Sequence, residues 1–220
     1  MNIILPHGTV WPPMLQGSEE WFNARKGRAT ASCFKKILTP TGKLSAQADE
    51  YARKLARECK LADPHEFIGN KHTEWGNEYE PIARDIFCAT TGRNVVEVGF
   101  VQNNSVPVLG CSPDGLIIGD DGITAVAGLE IKCPSIDTLV GWMIDGVLPT
   151  EHLPQVHGSM IVTGLQEWEF VAYFPGVPLF RQRATWNAYT DKLESALHEF
   201  VPRYAVIREQ VLELLGREAV

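Results

Sequence analysis

Apolar and polar residues alternate along this chain with two different periods, and the change of period marks out its elements. Up to Thr91 the spacing is helical. SEEWFNARKG, from Ser18, opens with an N-cap serine, places two acids in its first turn and stops at a glycine, which predicts a short helix. TASCFKKIL and SAQADEYARKLARECK are expected to be helices too. TEWGNEYEPIARDIFCATT, from Thr73 to Thr91, is helical around Pro81, which either opens the helix or kinks it.

From there the period drops to two. VVEVGFV (95–101), VPVLGCS (106–112), GLIIG (115–119) and VAGLEIKC (126–133) read as strands divided by Asn-Asn, Pro-Asp-Gly and Asp-Asp-Gly turns. Helical spacing returns at about Ile136–Asp145 and Glu151–Val162, and a strand pair follows at 168–174 and 179–185. The chain closes with an amphipathic helix over about 186–216, kinked at Pro202, with Leu193, Leu197, Phe200, Tyr204, Ile207, Val211 and Leu214 on one stripe. That stripe serves a subunit contact and intramolecular packing equally well. Helices, then a meander of strands, then helices predict an α/β (α+β) chain around one central mixed sheet flanked by helices. At 220 residues and 45% hydrophobic, with no repeat and no long linker, it is expected to form one domain over 1–220, its core at about 18–175.

Composition narrows the setting. No run approaches the roughly 20 apolar residues of a membrane span, and MNIILPHGTVWPPM lacks the basic start and apolar length of a signal peptide, so the expected compartment is the cytoplasm. Cys33, Cys59, Cys88, Cys111 and Cys133 include no C-x-x-C pair and read as small buried hydrophobes of a reducing environment. The net charge of −7 conceals an uneven distribution. Between Arg25 and Lys60 ten Lys/Arg face three acids, so that segment is +7 and the remainder −14. A phosphate-attracting face and a solvated helical surface fit that segment equally.

The chemistry gathers at LEIKCP, 129–134. Glu130 and Lys132 are two apart on a strand and therefore share a side, while Leu129, Ile131 and Cys133 point to the other, which is expected to be core. Asp114, in the Ser-Pro-Asp-Gly turn, is separated from Glu130 by fifteen residues, a span a hairpin can close. Two carboxylates held together repel unless a cation lies between them, and a hard ion such as Mg²⁺ takes such oxygens while keeping waters. With Lys132 over the same point, the set suits metal-assisted phosphodiester hydrolysis. Singly, an E-x-K is more often a surface ion pair and a Pro-Asp-Gly simply a turn.

These residues resemble the PD-(D/E)xK nuclease signature, and more closely the λ exonuclease and YqaJ-like viral recombinase family. The resemblance runs in order from Trp21 to about Met160 through W-x-x-x-R with TAS, W-G-x-x-Y-E, C-S-P-D-G, L-E-x-K-C-P and Q-V-x-x-S-M. It implies a restriction-endonuclease-like core, with Asp114, Glu130 and the main-chain carbonyl of Ile131 as metal ligands, Lys132 positioning or activating water, and Glu80 as a further acid of the same site. It implies Mg²⁺, with Mn²⁺ able to substitute, and two ions. Arg25, Ser32, Ser112 and Gln155 fall where the family binds the 5′-terminal phosphate. His157 replaces a second glutamine of the family pattern and is placed with that phosphate and DNA group; Trp21 is left outside as core packing. Gly76, four before Glu80, is expected to let helix and sheet approach so that Glu80 reaches the metal.

The activity implied is 5′→3′ digestion of one strand of linear double-stranded DNA to mononucleotides, leaving 3′ single strands for annealing-based recombination. A ring-shaped homotrimer and a single-strand annealing protein as partner are implied in the same way. A sequence-specific endonuclease of the same superfamily shares Asp114, Glu130 and Lys132 and stands as the alternative, separated by its attack on a closed circle. A non-catalytic end-binding module needs no complete acidic set. No G-x-G-x-x-G, Walker A or H-E-x-x-H supports a small-molecule enzyme.

Overall fold

The computed structural model describes residues 3–61 and 71–216, and of 71–74 and 77 the backbone alone. Its strands are β1 (Gly8–Val10), β2 (Ala29–Thr30), β3 (Asn94–Val96), β4 (Val101–Asn103), β5 (Leu109–Cys111), β6 (Gly115–Ile118), β7 (Ala125–Lys132), β8 (Glu167–Ala172) and β9 (Phe180–Thr185). Its α-helices are α1 (Glu19–Arg25), α2 (Ala48–Glu58), α3 (Lys71–Thr91), α4 (Ile136–Asp145), α5 (Leu153–Thr163) and α6 (Ala188–Gly216). The TASCFKKIL segment winds into a 3₁₀ helix over Ala31–Lys36 rather than an α-helix. Another 3₁₀ turn, Thr150–His152, leads into α5.

The strands form two sheets where one central sheet was expected. Five lie in the order β3-β6-β7-β8-β9 and four in the order β1-β4-β5-β2. Both are mixed, with β7–β8 and β2–β5 as their parallel pairs. The expected strand at 95–101 is where the division falls, because β3 pairs with β6 in one sheet and β4 with β1 and β5 in the other. Between them the N-terminal segment crosses so closely that a Cβ on Gly99 would lie 2.2 Å from Met14 Cγ and 2.6 Å from its carbonyl oxygen. Backbone that close to a crossing chain leaves the ladder, although the apolar alternation runs on through it.

Strand β7 is the centre of the larger sheet, antiparallel to β6 and parallel to β8. The β7–β8 connection passes through α4 and α5, as a parallel pair requires. Leu129 and Ile131 pack under α3 with Ala83 and Phe87, in a cluster that also holds Ile117 and Val171. The opposite face is covered as well: Gly128 and Glu130 lie in register with Trp168 and Phe170, which belong to the principal core with Met160 and Val156 of α5. A strand buried on both faces is usual for parallel pairing, and it carries Glu130 into the interior instead of leaving it on an open face. Helix α6 lays Leu193, Leu197, Phe200 and Tyr204 into the core. It packs along α2, where the Tyr51 and Phe200 rings stack 5.9 Å apart and Tyr204 donates to the Gly27 carbonyl at 2.9 Å. The first four stripe residues thus serve intramolecular packing, while Leu214 is exposed.

Gly128 tests this packing. A Cβ there would stand 2.3 Å from the Trp168 ring, which fills the space beside it. Gly128→Ala is expected to lower stability by about 1–3 kcal/mol through forced displacement of the indole, read as a fall in Tm by thermal unfolding.

Candidate active site

Strand β6 begins beside β7 at Gly115, which pairs with Leu129, and the chain before it turns away. Asp114 stands at that point of divergence. Its N–H donates to the Leu129 carbonyl at 3.1 Å, and its Oδ2 accepts the Ile131 N–H at 2.7 Å, taking a ladder donor that β6 no longer reaches. The Pro-Asp turn is held from α3 as well, where Arg84 donates through Nε to the Asp114 carbonyl at 3.1 Å and through an Nη to Glu97 at 2.8 Å. Arg84 was not singled out in the sequence, and its spacing one turn beyond Glu80 is the only signal for it.

Glu130 is 1% exposed. Its Oε1 accepts from Lys132 Nζ and, at 2.5 Å, from Gln155 Nε2 in the first turn of α5, while its Oε2 is buried without a hydrogen-bond partner. Glu80 joins from α3 by folding back over Gly76, where a Cβ would lie 3.3 Å from Glu80 Oε1. The space at Gly76 is thus filled by the glutamate itself, and not by a closer approach of the sheet. Burial first, and then the Asp114 charge, push Glu80 up to about 7. Burial raises Glu130 to about 8, against the opposing pull of Lys132, and burial likewise raises Asp114. Lys132 is opposed by burial, yet the Glu130 and Asp114 carboxylates outweigh it and hold its pKa above the ordinary value.

Three carboxylates around one ammonium leave negative charge to be neutralised. Among the described residues no group of three or more His, Cys, Asp or Glu side chains converges closely enough to hold a metal ion by itself. The donor set nevertheless fits a hard divalent ion: it is all oxygen, and Glu130 Oε2 is a buried carboxylate oxygen that nothing satisfies, which costs about 1–3 kcal/mol or more.

A second cluster adjoins the first through Ser112-Pro113-Asp114. Arg25, at the end of α1, donates to Ser112 Oγ at 3.0 Å and to Thr30 Oγ1 and Ser32 Oγ at 3.1 Å each. Its guanidinium lies 4.2 Å from the centre of the Trp21 ring, and Trp21 Nε1 also donates to Ser112 Oγ at 2.9 Å. Burial lowers the Arg25 pKa, but a guanidinium does not lose its proton in a protein, so a cation sits here among neutral hydroxyls. Trp21 therefore belongs to the cluster that sequence reasoning left it out of. The i, i+4 spacing of Trp21 and Arg25 on one helix was the available signal.

Arg25, Ser32 and Ser112 are thus brought together as expected, while Gln155 reaches Glu130 and the carboxylates. His157 is not brought to either group. It lies 1% exposed on the inner side of α5, its Nδ1 is 2.8 Å from Thr190 Oγ1 of α6, and its ring packs against Tyr189. The expected phosphate role does not survive that burial. His152, its neighbour in sequence, packs between Trp142 and Phe170.

The pattern of the YqaJ-like viral recombinase domain matches residues 20–166. The chain belongs to the YqaJ-like viral recombinase family. The structure is similar to LHK-Exo in complex with dAMP, at 27% identity over 92% of this chain and 100% of that one, with a TM-score of 0.76. It is also similar to the alkaline exonuclease LHK-Exo from Laribacter hongkongensis, at 27% identity over 90% and 100%, TM-score 0.70. A phage related exonuclease from Haemophilus somnus 129PT, at 16% identity over 86% and 96% with a TM-score of 0.60, shares the fold. No curated protein sequence matches the chain. This YqaJ-like chain accordingly has the restriction-endonuclease-like fold that its motif order implied. No helix among its described residues is long and apolar enough to cross a membrane.

The buried His157 generates a pH prediction. Burial lowers its pKa from 6.5 to about 4, so between those values the unfolded chain binds a proton that the folded chain refuses. Its contribution is intact above pH 6.5 and lost as pH falls toward 4, on the order of 2 kcal/mol at pH 5. His157→Gln, able to keep the bond to Thr190, is expected to narrow the gap between Tm at pH 7 and at pH 5.

Proposed function

We propose that this chain is a metal-dependent deoxyribonuclease that removes mononucleotides from the 5′ end of one strand of linear double-stranded DNA, leaving a 3′ single strand. The observation that carries it is the meeting of Asp114, Glu130 and Lys132 at the end of β7, with a carboxylate oxygen unsatisfied, two residues along the chain from Ser112, which accepts from the Arg25 guanidinium. The alkaline exonuclease relatives support the reading. Asp114, Glu130 and the Ile131 carbonyl would hold a hard divalent ion such as Mg²⁺, with Mn²⁺ as substitute and a second ion beside Glu80. Bound there, it supplies Lewis-acid stabilisation of the charge that develops on the phosphoryl oxygens.

The chain's own groups do the rest. Lys132 is held as an ammonium, so it orients the attacking water and offsets developing charge rather than removing a proton. Glu80, the third carboxylate of the site, is the group placed to take the water's proton. The water oxygen bonds to phosphorus as the P–O3′ bond breaks, and the 3′ oxygen leaves with a proton from solvent. The freed nucleotide keeps its 5′-phosphate and the shortened strand receives a new one. Arg25, with Ser32 and Ser112, is placed to bind that terminal phosphate, whose dianion matches a two-pronged cation. After each cut the product end is again the group this pocket accepts. The reading extends to a ring-shaped homotrimer around DNA, working in the cytoplasm with an annealing protein.

The deciding experiment uses a linear duplex labelled at its 5′ ends and in its interior, with and without Mg²⁺, beside a closed circle. Metal-dependent release of the 5′ label as mononucleotide, an untouched circle and an inactive Asp114→Ala protein are expected; nicking of the circle would instead make this an endonuclease. Arg25→Ala is expected to erase a preference of about ten- to hundred-fold for a 5′-phosphorylated over a 5′-hydroxyl end. Equal loss on both ends in single-turnover digestion would remove Arg25 from phosphate binding.

A further inference from the structure

We propose that Trp75, Tyr79, Tyr173 and Phe174 form a stacking platform for an unpaired nucleobase of the strand held at the carboxylates. The proposal rests on the nuclease reading and adds a site to it. Trp75 and Tyr79 lie four apart on α3 and so share a side, and Tyr79 immediately precedes Glu80. Tyr173 and Phe174 follow the end of β8, where the Tyr173 N–H donates to the Lys132 carbonyl at 2.9 Å. The platform therefore borders the carboxylate site through two separate elements.

The rings are in mutual contact, Trp75 lying face against face with Tyr79. Trp75 and Tyr79 have centroids 4.2 Å apart, Trp75 and Phe174 5.5 Å, and Tyr79 and Tyr173 6.3 Å. Neighbouring planes differ by 34–41°, so the broad faces turn in similar directions and do not meet edge to face. All four residues are half-buried, and neither Trp75 nor Tyr79 belongs to a buried cluster among the described residues. Phe174 and Tyr173 pack on the two core clusters, and Trp75 and Tyr79 extend that aromatic group outward, partly open.

The chemistry of the reaction asks for such a surface. A terminal nucleotide that leaves its partner to approach the buried Glu130 gives up a few kcal/mol of pairing and stacking. A ring face offsets that cost for every base alike, because each base has a π-face, whereas hydrogen bonds to base edges would select a sequence. An enzyme that consumes a strand base by base needs the first kind of contact.

The test compares single-turnover digestion of two 5′-phosphorylated linear duplexes whose terminal nucleotide carries either adenine or no base. The wild type is expected to cleave the base-bearing end about five- to hundred-fold faster. Trp75→Leu should bring that ratio near one, and Trp75→Phe should retain most of it. A wild-type ratio near one, or a ratio unchanged by Trp75→Leu while both rates fall together, would overturn the platform. A second arm titrates protein, in EDTA, into a 5′-phosphorylated thymidine tract with 2-aminopurine at its terminus. Stacking predicts several-fold quenching by the wild type and recovered emission with Trp75→Leu. Quenching without cleavage of any DNA would keep the platform and end the nuclease reading; cleavage without quenching would do the reverse.

Discussion

A carboxylate carried into the middle of a sheet with one oxygen left unsatisfied is the constraint on which this structure turns. Glu130 is buried because β7 is covered on both faces, by α3 on one and by Trp168, Phe170 and α5 on the other. Its neighbour on β8 shows what a structural solution to the same problem looks like. Glu169 is equally buried, but Arg181 bonds both its oxygens, and Arg93 and Arg183 add further contacts. Burial opposes its charge, yet these partners outweigh the penalty and its pKa falls below the usual value. Glu130 receives one ammonium and one amide on a single oxygen, and its pKa rises. Two buried glutamates on adjacent strands thus have opposite accounts, and the one left in deficit is the one poised for a cation.

The surrounding fold maintains that deficit rather than relieving it. Asp114 is fixed from two sides, by the Ile131 N–H and by Arg84 on its own carbonyl, so it cannot swing away from Glu130. Glu80 is held near both because α3 has a glycine where its carboxylate folds back. In the same region Pro81 offers no N–H to the carbonyl four residues earlier, so α3 runs past the acid with one backbone hydrogen bond missing. Each element gives up some local stability, in helix regularity or in like-charge repulsion, for a geometry that a divalent ion would complete.

The two halves of the site are coupled by covalent proximity. Ser112 accepts from Arg25 and Trp21, and two residues later Asp114 caps β7. The guanidinium is thereby held at a set distance from the carboxylates, with the hydroxyls of Thr30 and Ser32 fixing the fork's orientation. Arg25 is in this way a cation pre-arranged among neutral partners.

Much of this was legible along the chain. The period-two pattern of LEIKCP placed Glu130 and Lys132 on one side, the N-cap of Ser18 opened α1, helical spacing bounded α4, and the motif order brought Asp114 to Glu130. Local rules suffice there because the decisive contacts lie within one turn, one strand or one hairpin. Contacts between distant segments were decided only in three dimensions. The alternation at 95–101 looks like a single strand, and only the crossing of Met14 over Gly99 divides it between sheets. Gln155 and His157 are two apart on α5, and helix geometry sends one to Glu130 and the other to Thr190 in the core. Periodicity reports which residues share a face, but burial and partnership depend on what the rest of the chain packs against it. The sequence therefore determined the chemical groups and their local spacing, while the tertiary structure decided which of them are desolvated together, and desolvation is what turns a carboxylate pair into a site.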